Sequence, residues 1–311
     1  MKVALSIGVL LLGLAIALEI GLRLFLGFGN PPLYVSDPAL GYLLAPNQKT
    51  RRFGNRIQIN QYSMRSPDVA ITPQAQTTRV LLLGDSVVNG AWWTDQSATL
   101  SALIHQQLTA SGSQNEVLNA SANSWGPPNQ LAYLQRFGTF TAQVIVLLIN
   151  TDDLFAGRPN PAIVGRDRNY PDQKPPLALV EVFQRYFARS QPIPPPLSPQ
   201  PEDLVGFNLE AIQGIRAIAQ DNQAQFVLAI TPLLREIGQP GPRDYELKAR
   251  QRLKDLTQTG QILYIDFLQS FNTDPQPQGL YRDHIHLSPQ GNQLVSQTLY
   301  QALEEVLESS R

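Results

Sequence analysis

The chain has 311 residues, no cysteine, 43% hydrophobic side chains and a formal net charge of −1, with charged residues at 16%. That length and apolar content suffice for one large α/β domain with an appendage, built without disulfides or thiolate-bound metal. The lack of cysteine removes thiol nucleophiles, and a near-neutral chain without a basic stripe excludes a nucleic-acid partner.

In chain order, the first feature is apolar. From Val3 to Leu18 every residue except Ser6 is apolar, and the run resumes around Glu19 and Arg23 to Phe28. A membrane-crossing helix needs about 20 mostly apolar residues, so residues 1–28 are read as a transmembrane anchor. Glu19 and Arg23 stand at i and i+4, where they share a helix face and can pair or reach toward headgroups. Lys2 and the N-terminal amine ahead of the run favour an N-in orientation, with the rest of the chain exported. A cleaved signal peptide is the rival reading, but Glu19-Ile20-Gly21-Leu22-Arg23 makes a poor cleavage site.

Residues 29–75 are polar and rich in turn formers, and are read as an N-terminal extension and linker that packs on the main domain. Gly41-Tyr42-Leu43-Leu44 is a short apolar stretch there, and the alternation of Arg56 to Ile59 predicts a short strand. From Arg79 onward, apolar β-branched runs alternate with helical patterns. Val80-Leu83, Glu116-Asn119, Val144-Ile149, Phe226-Ile230 and Ile262-Ile265 are predicted strands. Helices are predicted over Thr99–Ser111, Asn129–Phe137, Asn208–Asp221, Tyr245–Thr257 and Pro289–Leu307. Continuous apolar strands alternating with helices predict a doubly wound, three-layer α/β/α sandwich with a five-stranded parallel sheet over residues 76–308. Ligands gather at the carboxyl ends of such strands, near the switch in strand order. Residues 157–201 break the rhythm with clustered proline, including Pro192, Pro194, Pro195 and Pro196. This insertion is expected to carry one helix near Leu177–Ala188, and to be either a mobile flap or a surface excursion.

The first predicted strand ends at Gly84-Asp85-Ser86, where chemistry is expected. A serine hydroxyl needs a base, and the chain has three histidines, His105, His284 and His286. His105 falls within a helical pattern, where a structural role is the default. The other two lie in Asp283-His284-Ile285-His286-Leu287-Ser288-Pro289, a loop entering the last helix with Ser288 as N-cap and Pro289 at the first helical position. An aspartate three residues before a histidine can curl back onto its ring N–H, orient it and stabilise the imidazolium. Asp283 with His286 has that spacing, and His284 is left as a flank.

With Gly84-Asp85-Ser86 after one strand and Asp283-x-x-His286 before the last helix, the chain resembles the SGNH or GDSL-type serine hydrolases over roughly Arg79 to Leu307. Asn119-Ala120-Ser121-Ala122-Asn123-Ser124-Trp125-Gly126 is similar to the family's second block, and the resemblance implies that the Gly126 N–H meets the oxyanion. It also implies a flavodoxin-like sandwich and cleavage of lipid or sugar esters. The anchor followed by Asn60-Gln61-Tyr62-Ser63-Met64-Arg65 looks like membrane-tethered bacterial members, although Ser63 replaces their glycine. The third block departs further. Where the family has an oxyanion-binding asparagine, this chain reads Asn150-Thr151-Asp152-Asp153-Leu154, with Asp152 at the asparagine's place. An ionised carboxylate there repels developing negative charge. Protonation of Asp152, an amide supplied by Asn150, or a hole formed by the Ser86 and Gly126 N–H groups alone would each resolve this.

The expectation is therefore an ester hydrolase acting outside the cytoplasm on an acetylated sugar or lipid ester, through Ser86, His286 and Asp283. Acyl transfer to a polysaccharide hydroxyl by the same residues is one alternative, and a degenerate anchored binding or assembly module is another. No cofactor or metal is expected, and the oligomeric state stays open. Trp92, Trp93 and Trp125 follow presumed active-site loops and are read first as packing residues. Arg65 and Arg235 are read first as ion-pair partners, and Asp266 as a helix cap.

Overall fold

The computed structural model describes residues 2–112, 114–189, 191–196 and 198–309. The N-terminal amine, and Ser190 and Leu197 of the proline-rich stretch, lie outside the described residues. Helix α1 (Lys2–Gly21) continues into a π-helical turn at Leu22–Leu26. Its length and hydropathy are those of a membrane-crossing helix, and its central apolar window is wholly unburied. Two hairpins follow, β1 (Tyr34–Asp37) with β2 (Gly41–Leu44) and β3 (Gln48–Arg52) with β4 (Asn55–Ile59). The α/β body then runs β5 (Thr78–Gly84), α2 (Ser86–Asn89), α3 (Leu100–Ala110), β6 (Asn115–Ser121), α4 (Pro127–Phe137) and β7 (Val144–Asn150). It continues with α5 (Ala178–Tyr186), α6 (Leu204–Asp221), β8 (Gln225–Thr231), α7 (Asp244–Thr259), β9 (Leu263–Asp266), α8 (Phe267–Thr273) and α9 (Pro289–Ser309).

The five strands pair in parallel in the order β6-β5-β7-β8-β9. The chain leaves β5 toward one edge at β6, then returns past β5 to build β7, β8 and β9 on the other side. That reversal opens a crevice at the carboxyl ends of β5 and β7. Successive residues of a strand point to opposite faces, and the core divides accordingly. Leu81, Leu83, Ile145, Leu147 and Leu228 pack with residues of α4, α6 and α7. Val80, Leu82, Val144, Val146 and Val227 pack with α3, α8 and α9. Burying each such side chain stabilises the fold by about 1.5–3 kcal/mol before entropy is counted, which is why these runs were readable as strands.

Two regions are more ordered than their composition suggested. In the extension, Tyr34, Leu40, Tyr42, Leu43, Leu44, Ile57, Ile59 and Met64 join the same apolar cluster as Leu81 and Leu83. The sequence indicated one strand there because the others are short and alternate weakly. Asn60 Oδ1 accepts the N–H groups of Tyr62 and Met64 at 2.9 and 3.0 Å, and Ser63 takes φ 61°. This left-handed turn is the conformation glycine adopts most readily. The proline-rich insertion is also docked on the extension. Glu181 of α5 pairs with Arg52 of β3 and accepts the Gly29 N–H at 2.6 Å. Glu19 pairs with Arg23 at 2.6 Å and accepts the N–H groups of Ala178 and Leu179 at 2.8 and 3.0 Å. The apolar helix is thus tied at its C-terminal end to the first turn of α5.

Candidate active site

The Ser86 turn follows from close packing. A Cβ on Gly84 would fall 2.2 Å from Val88 Cγ2 and 2.8 Å from the Leu148 carbonyl oxygen, so α2 sits tightly over β5 and β7 only with glycine there. Asp85 caps α2 by accepting the Val87 N–H at 2.8 Å. Ser86 is then the first residue of α2, nearly buried, with Oγ 2.9 Å from His286 Nε2 and 3.2 Å from Asp85 Oδ2. One hydroxyl proton serves one acceptor at a time, and the shorter contact is to the imidazole.

His286 is held by the loop before α9. Tyr281 and Leu287 form a β-bridge, and the Arg282 N–H donates to the His286 carbonyl at 2.8 Å. Within this loop Asp283 Oδ1 accepts the backbone N–H groups of Ile285 and His286 at 3.0 and 2.9 Å. His286 Nδ1 lies 3.0 and 2.8 Å from the two Asp283 oxygens. A proton on Nδ1 directed at Asp283 leaves the Nε2 lone pair facing Ser86. Burial pushes the Asp283 carboxyl up, but the His286 and Ile285 N–H groups and the imidazole outweigh it and hold the group below the usual carboxylate range. Ser288 Oγ accepts the Gly291 N–H at 3.1 Å and starts α9. The Trp93 ring packs edge-on against His286 at 4.5 Å, and Arg282 stacks over Trp92 and Trp93. His284 is exposed, and His105 bonds Asn115 at 2.7 Å far along the chain from these residues.

Two of the expected oxyanion donors, Gly126 and Asn150, have hydrogen-bond partners within the fold. The Gly126 N–H donates to Asn129 Oδ1 at 3.0 Å, closing the first turn of α4. A Cβ at Gly126 would lie 2.3 Å from that of Ala156, so glycine here permits close packing of two loops. The Asn150 amide nitrogen donates to Asp85 Oδ2 at 2.9 Å and to Asp153 Oδ2 at 3.1 Å. Its oxygen accepts the Asp152 N–H at 2.8 Å. The Asp152 side chain is exposed, so it is not the buried carboxyl that the sequence allowed. Neither Gly126, Asn150 nor Asp152 lines the cavity at Ser86. Asn150 instead bridges two buried carboxylates. Burial raises both Asp85 and Asp153, and Asp153 is pushed up further by the charge of Asp85. Asn123 and Ser124 line the same cavity as Ser86. Ser124 takes φ 56°, and its N–H meets no acceptor among the described residues.

The family model for the GDSL-like lipase/acylhydrolase family matches residues 82–294, well over half of the chain. The chain belongs to that family. It is an acylhydrolase by this membership, and its parallel sandwich is the family's fold. No curated protein matches the chain significantly. Among solved structures, it is similar to an acetyl xylan esterase (14% identity, TM-score 0.48, covering 72% of this chain and 98% of the other). It is also similar to a psychrotrophic esterase from Pseudoalteromonas sp. (14% identity, TM-score 0.45, covering 74% and 99%). A GDSL-like lipase from Bacteroides thetaiotaomicron matches at 10% identity and TM-score 0.46, covering 76% and 92%.

The family blocks supply only part of the cavity, whose volume is about 240 Å³. Its walls include Tyr34, Arg52 and Ile57 from the hairpins, and Tyr170 and Arg185 from the insertion. Trp92 and Trp93 line it too, whereas Trp125 is core and donates its indole N–H to the Tyr42 carbonyl at 3.0 Å. Arg65 is buried and donates to the carbonyls of Asn89, Ala91 and Thr94, holding the loop after α2. Arg235 pairs with Glu246, and Asp266 caps α8 while pairing with Arg250. Ser124, Tyr170, Arg52 and Arg185 line the cavity without having stood out in the sequence as candidates. Asn123-Ser124 is a turn-forming pair, which is the one local signal of an unusual backbone there.

Proposed function

We propose that the chain cleaves a carboxylic ester through an acyl-serine intermediate, with Ser86 as nucleophile, His286 as general base and then acid, and Asp283 as the residue that orients it. The observation that carries this reading is the continuous chain of contacts Ser86 Oγ to His286 Nε2 at 2.9 Å and His286 Nδ1 to Asp283 Oδ2 at 2.8 Å. Ser86 Oγ attacks the ester carbonyl as its proton passes to Nε2. The imidazolium, stabilised by Asp283, then protonates the departing alcohol, and a water activated by the same nitrogen releases the acid. The Ser86 and Ser124 N–H groups are the donors offered to the oxyanion, in place of Gly126 and Asn150.

The cavity volume supports a small substrate group. About 240 Å³ lies just below the range of roughly 300–1,000 Å³ for ligand pockets, which suits a short acyl group or one sugar ring better than a long acyl chain. The unburied apolar helix supports residues 1–28 as an anchor, with residues 29–75 as an extension and 76–308 as the hydrolase domain on the exported side. A short-chain ester of an exported carbohydrate fits both arguments. Full-length protein in detergent micelles should react with a fluorophosphonate probe at Ser86 and release 4-nitrophenol from 4-nitrophenyl acetate. Ser86→Ala should lose both, with turnover falling by on the order of 10⁴-fold or more. Folded wild-type protein that neither labels nor turns over would refute the assignment.

A further inference from the structure

The charges on the cavity wall are unbalanced. Arg52 and Arg185, from separate chain regions, are the cationic side chains that line it, the other ionisable groups there being His286 and the phenols Tyr34 and Tyr170, and no carboxylate lines it among the described residues. Their common counter-ion is Glu181, which pairs with Arg52, lies 3.7 Å from Arg185 and also accepts the Gly29 N–H. Arg52 is further committed to the Gly27 carbonyl at 2.8 Å and stacks over Phe28 at 4.3 Å. Arg185 is not so committed. Its two terminal nitrogens reach neutral acceptors, Asn169 Oδ1 at 3.2 Å and the Arg168 carbonyl at 3.3 Å. Its Nε is buried without a hydrogen-bond partner among the described residues. Two guanidinium groups therefore share one carboxylate, and a guanidinium offers five donors in a fork that suits carboxylate or phosphate.

We propose that the cavity takes an ester whose alcohol or acyl part carries an oxyanion, a carboxylate or a phosphate, held beside Ser86 by Arg185. The assignment rests on the ester-cleaving reading of the same cavity and names the substrate class within it. Burial first, and then the charge of Arg52, lower the pKa of the Arg185 guanidinium against the pull of Glu181, so an anion beside Arg185 favours its charged form. A second groove that shares Arg185 adds Arg166, Arg168, Lys174 and Arg189 against Asp167, Asp172 and Glu181, so its lining is net cationic. A charge-assisted pair formed away from bulk water is worth about 1.5–3 kcal/mol, or roughly ten- to hundred-fold in selectivity.

The test uses full-length protein in micelles and three acetylated sugars: a neutral methyl glucoside, its glucuronide and its sugar phosphate. Acetate release should favour an anionic ester over the neutral one by about tenfold or more in kcat/KM, chiefly through KM. Preference for the glucuronide assigns a carboxylate, and preference for the phosphate assigns a phosphate ester. Arg185→Gln should bring the anionic-to-neutral ratio toward one, while Arg185→Lys should keep part of it. Calorimetric binding of the deacetylated glucuronide and glucoside to wild-type protein gives the same comparison without chemistry. A glucuronide and sugar phosphate that bind no more tightly than the glucoside, or a ratio unchanged in Arg185→Gln, would overturn the proposal. Failure of every ester, including 4-nitrophenyl acetate, with anion binding intact would strike the ester-cleaving reading alone.

Discussion

The two sides of Ser86 are built in different ways. On one side, His286 and Asp283 lie three residues apart in a single loop pinned between a β-bridge and the cap of α9. On the other, the Asn123–Ser124 backbone is held from outside its own element. Tyr42 Oη donates to the Asn123 carbonyl at 2.7 Å, and Tyr170 Oη reaches Ser124 Oγ at 2.9 Å. Tyr34, Tyr42 and Tyr170 pack ring against ring, with centroids 4.9 to 6.1 Å apart. Tyr34 and Tyr42 come from the two strands of the first hairpin, β1 and β2, and Tyr170 from the insertion. The first side needs only local geometry, whereas the second depends on the extension and the insertion being docked together.

The comparison can be tested at Asn150. If it belongs to the buried scaffold, Asn150→Ala leaves the Asp85 and Asp153 carboxylates without their bridge and costs about 1–3 kcal/mol of stability, read from urea unfolding. An oxyanion donor would behave differently, losing on the order of 100-fold or more in kcat with little change in the unfolding midpoint. That second pattern would restore Asn150 to the oxyanion site.

A smaller effect is expected from Tyr170→Phe. Removing one hydroxyl that steadies Ser124 should lower kcat by about three- to tenfold, the equivalent of roughly 1 kcal/mol, and leave KM for 4-nitrophenyl acetate nearly unchanged. His286 and Asp283 are untouched, so the fluorophosphonate labelling rate should fall no more than kcat does. Equal kcat in the variant would mean that the tyrosine cluster only packs.

The smallest effect is on pH dependence. Asp85 and Asp153 bind protons more tightly in the folded chain than in the unfolded one. Their contribution is present below the ordinary carboxylate range, near pH 4, and is lost as pH rises through their raised folded values. Asp283 has the opposite sign: its contribution is present at neutral pH and disappears as pH falls through its lowered value. Asp153→Asn should therefore flatten the decline in stability above pH 5, by an amount on the order of 1 kcal/mol. An unchanged slope between pH 5 and pH 8 in urea titrations would refute this.

Much of the sheet was legible in the chain. Runs such as Val144 to Ile149 are apolar because both faces of the strand are covered, and the five parallel strands lie within a residue or two of their expected places. Gly84-Asp85-Ser86 and Asp283-x-x-His286 were legible as well, since each is a local turn whose side chains bond within a few residues. The hairpins were not, because their strands are short and are stabilised by contact with the α/β core.

The strands, the apolar N-terminal helix, the serine turn and the spacing that lets Asp283 meet His286 could all be read along the chain. All of these are governed by local backbone chemistry and apolar periodicity. Long-range packing alone brings Asn150 to two buried carboxylates and places Ser124 in the same cavity lining as Ser86, and the folded chain sets the Gly126 N–H on the first turn of α4. The same holds for Arg52 and Arg185, which are 133 positions apart in the chain (185 less 52) and share Glu181 at one cavity wall. Such convergence is set by long-range docking, and no window of neighbouring residues records it.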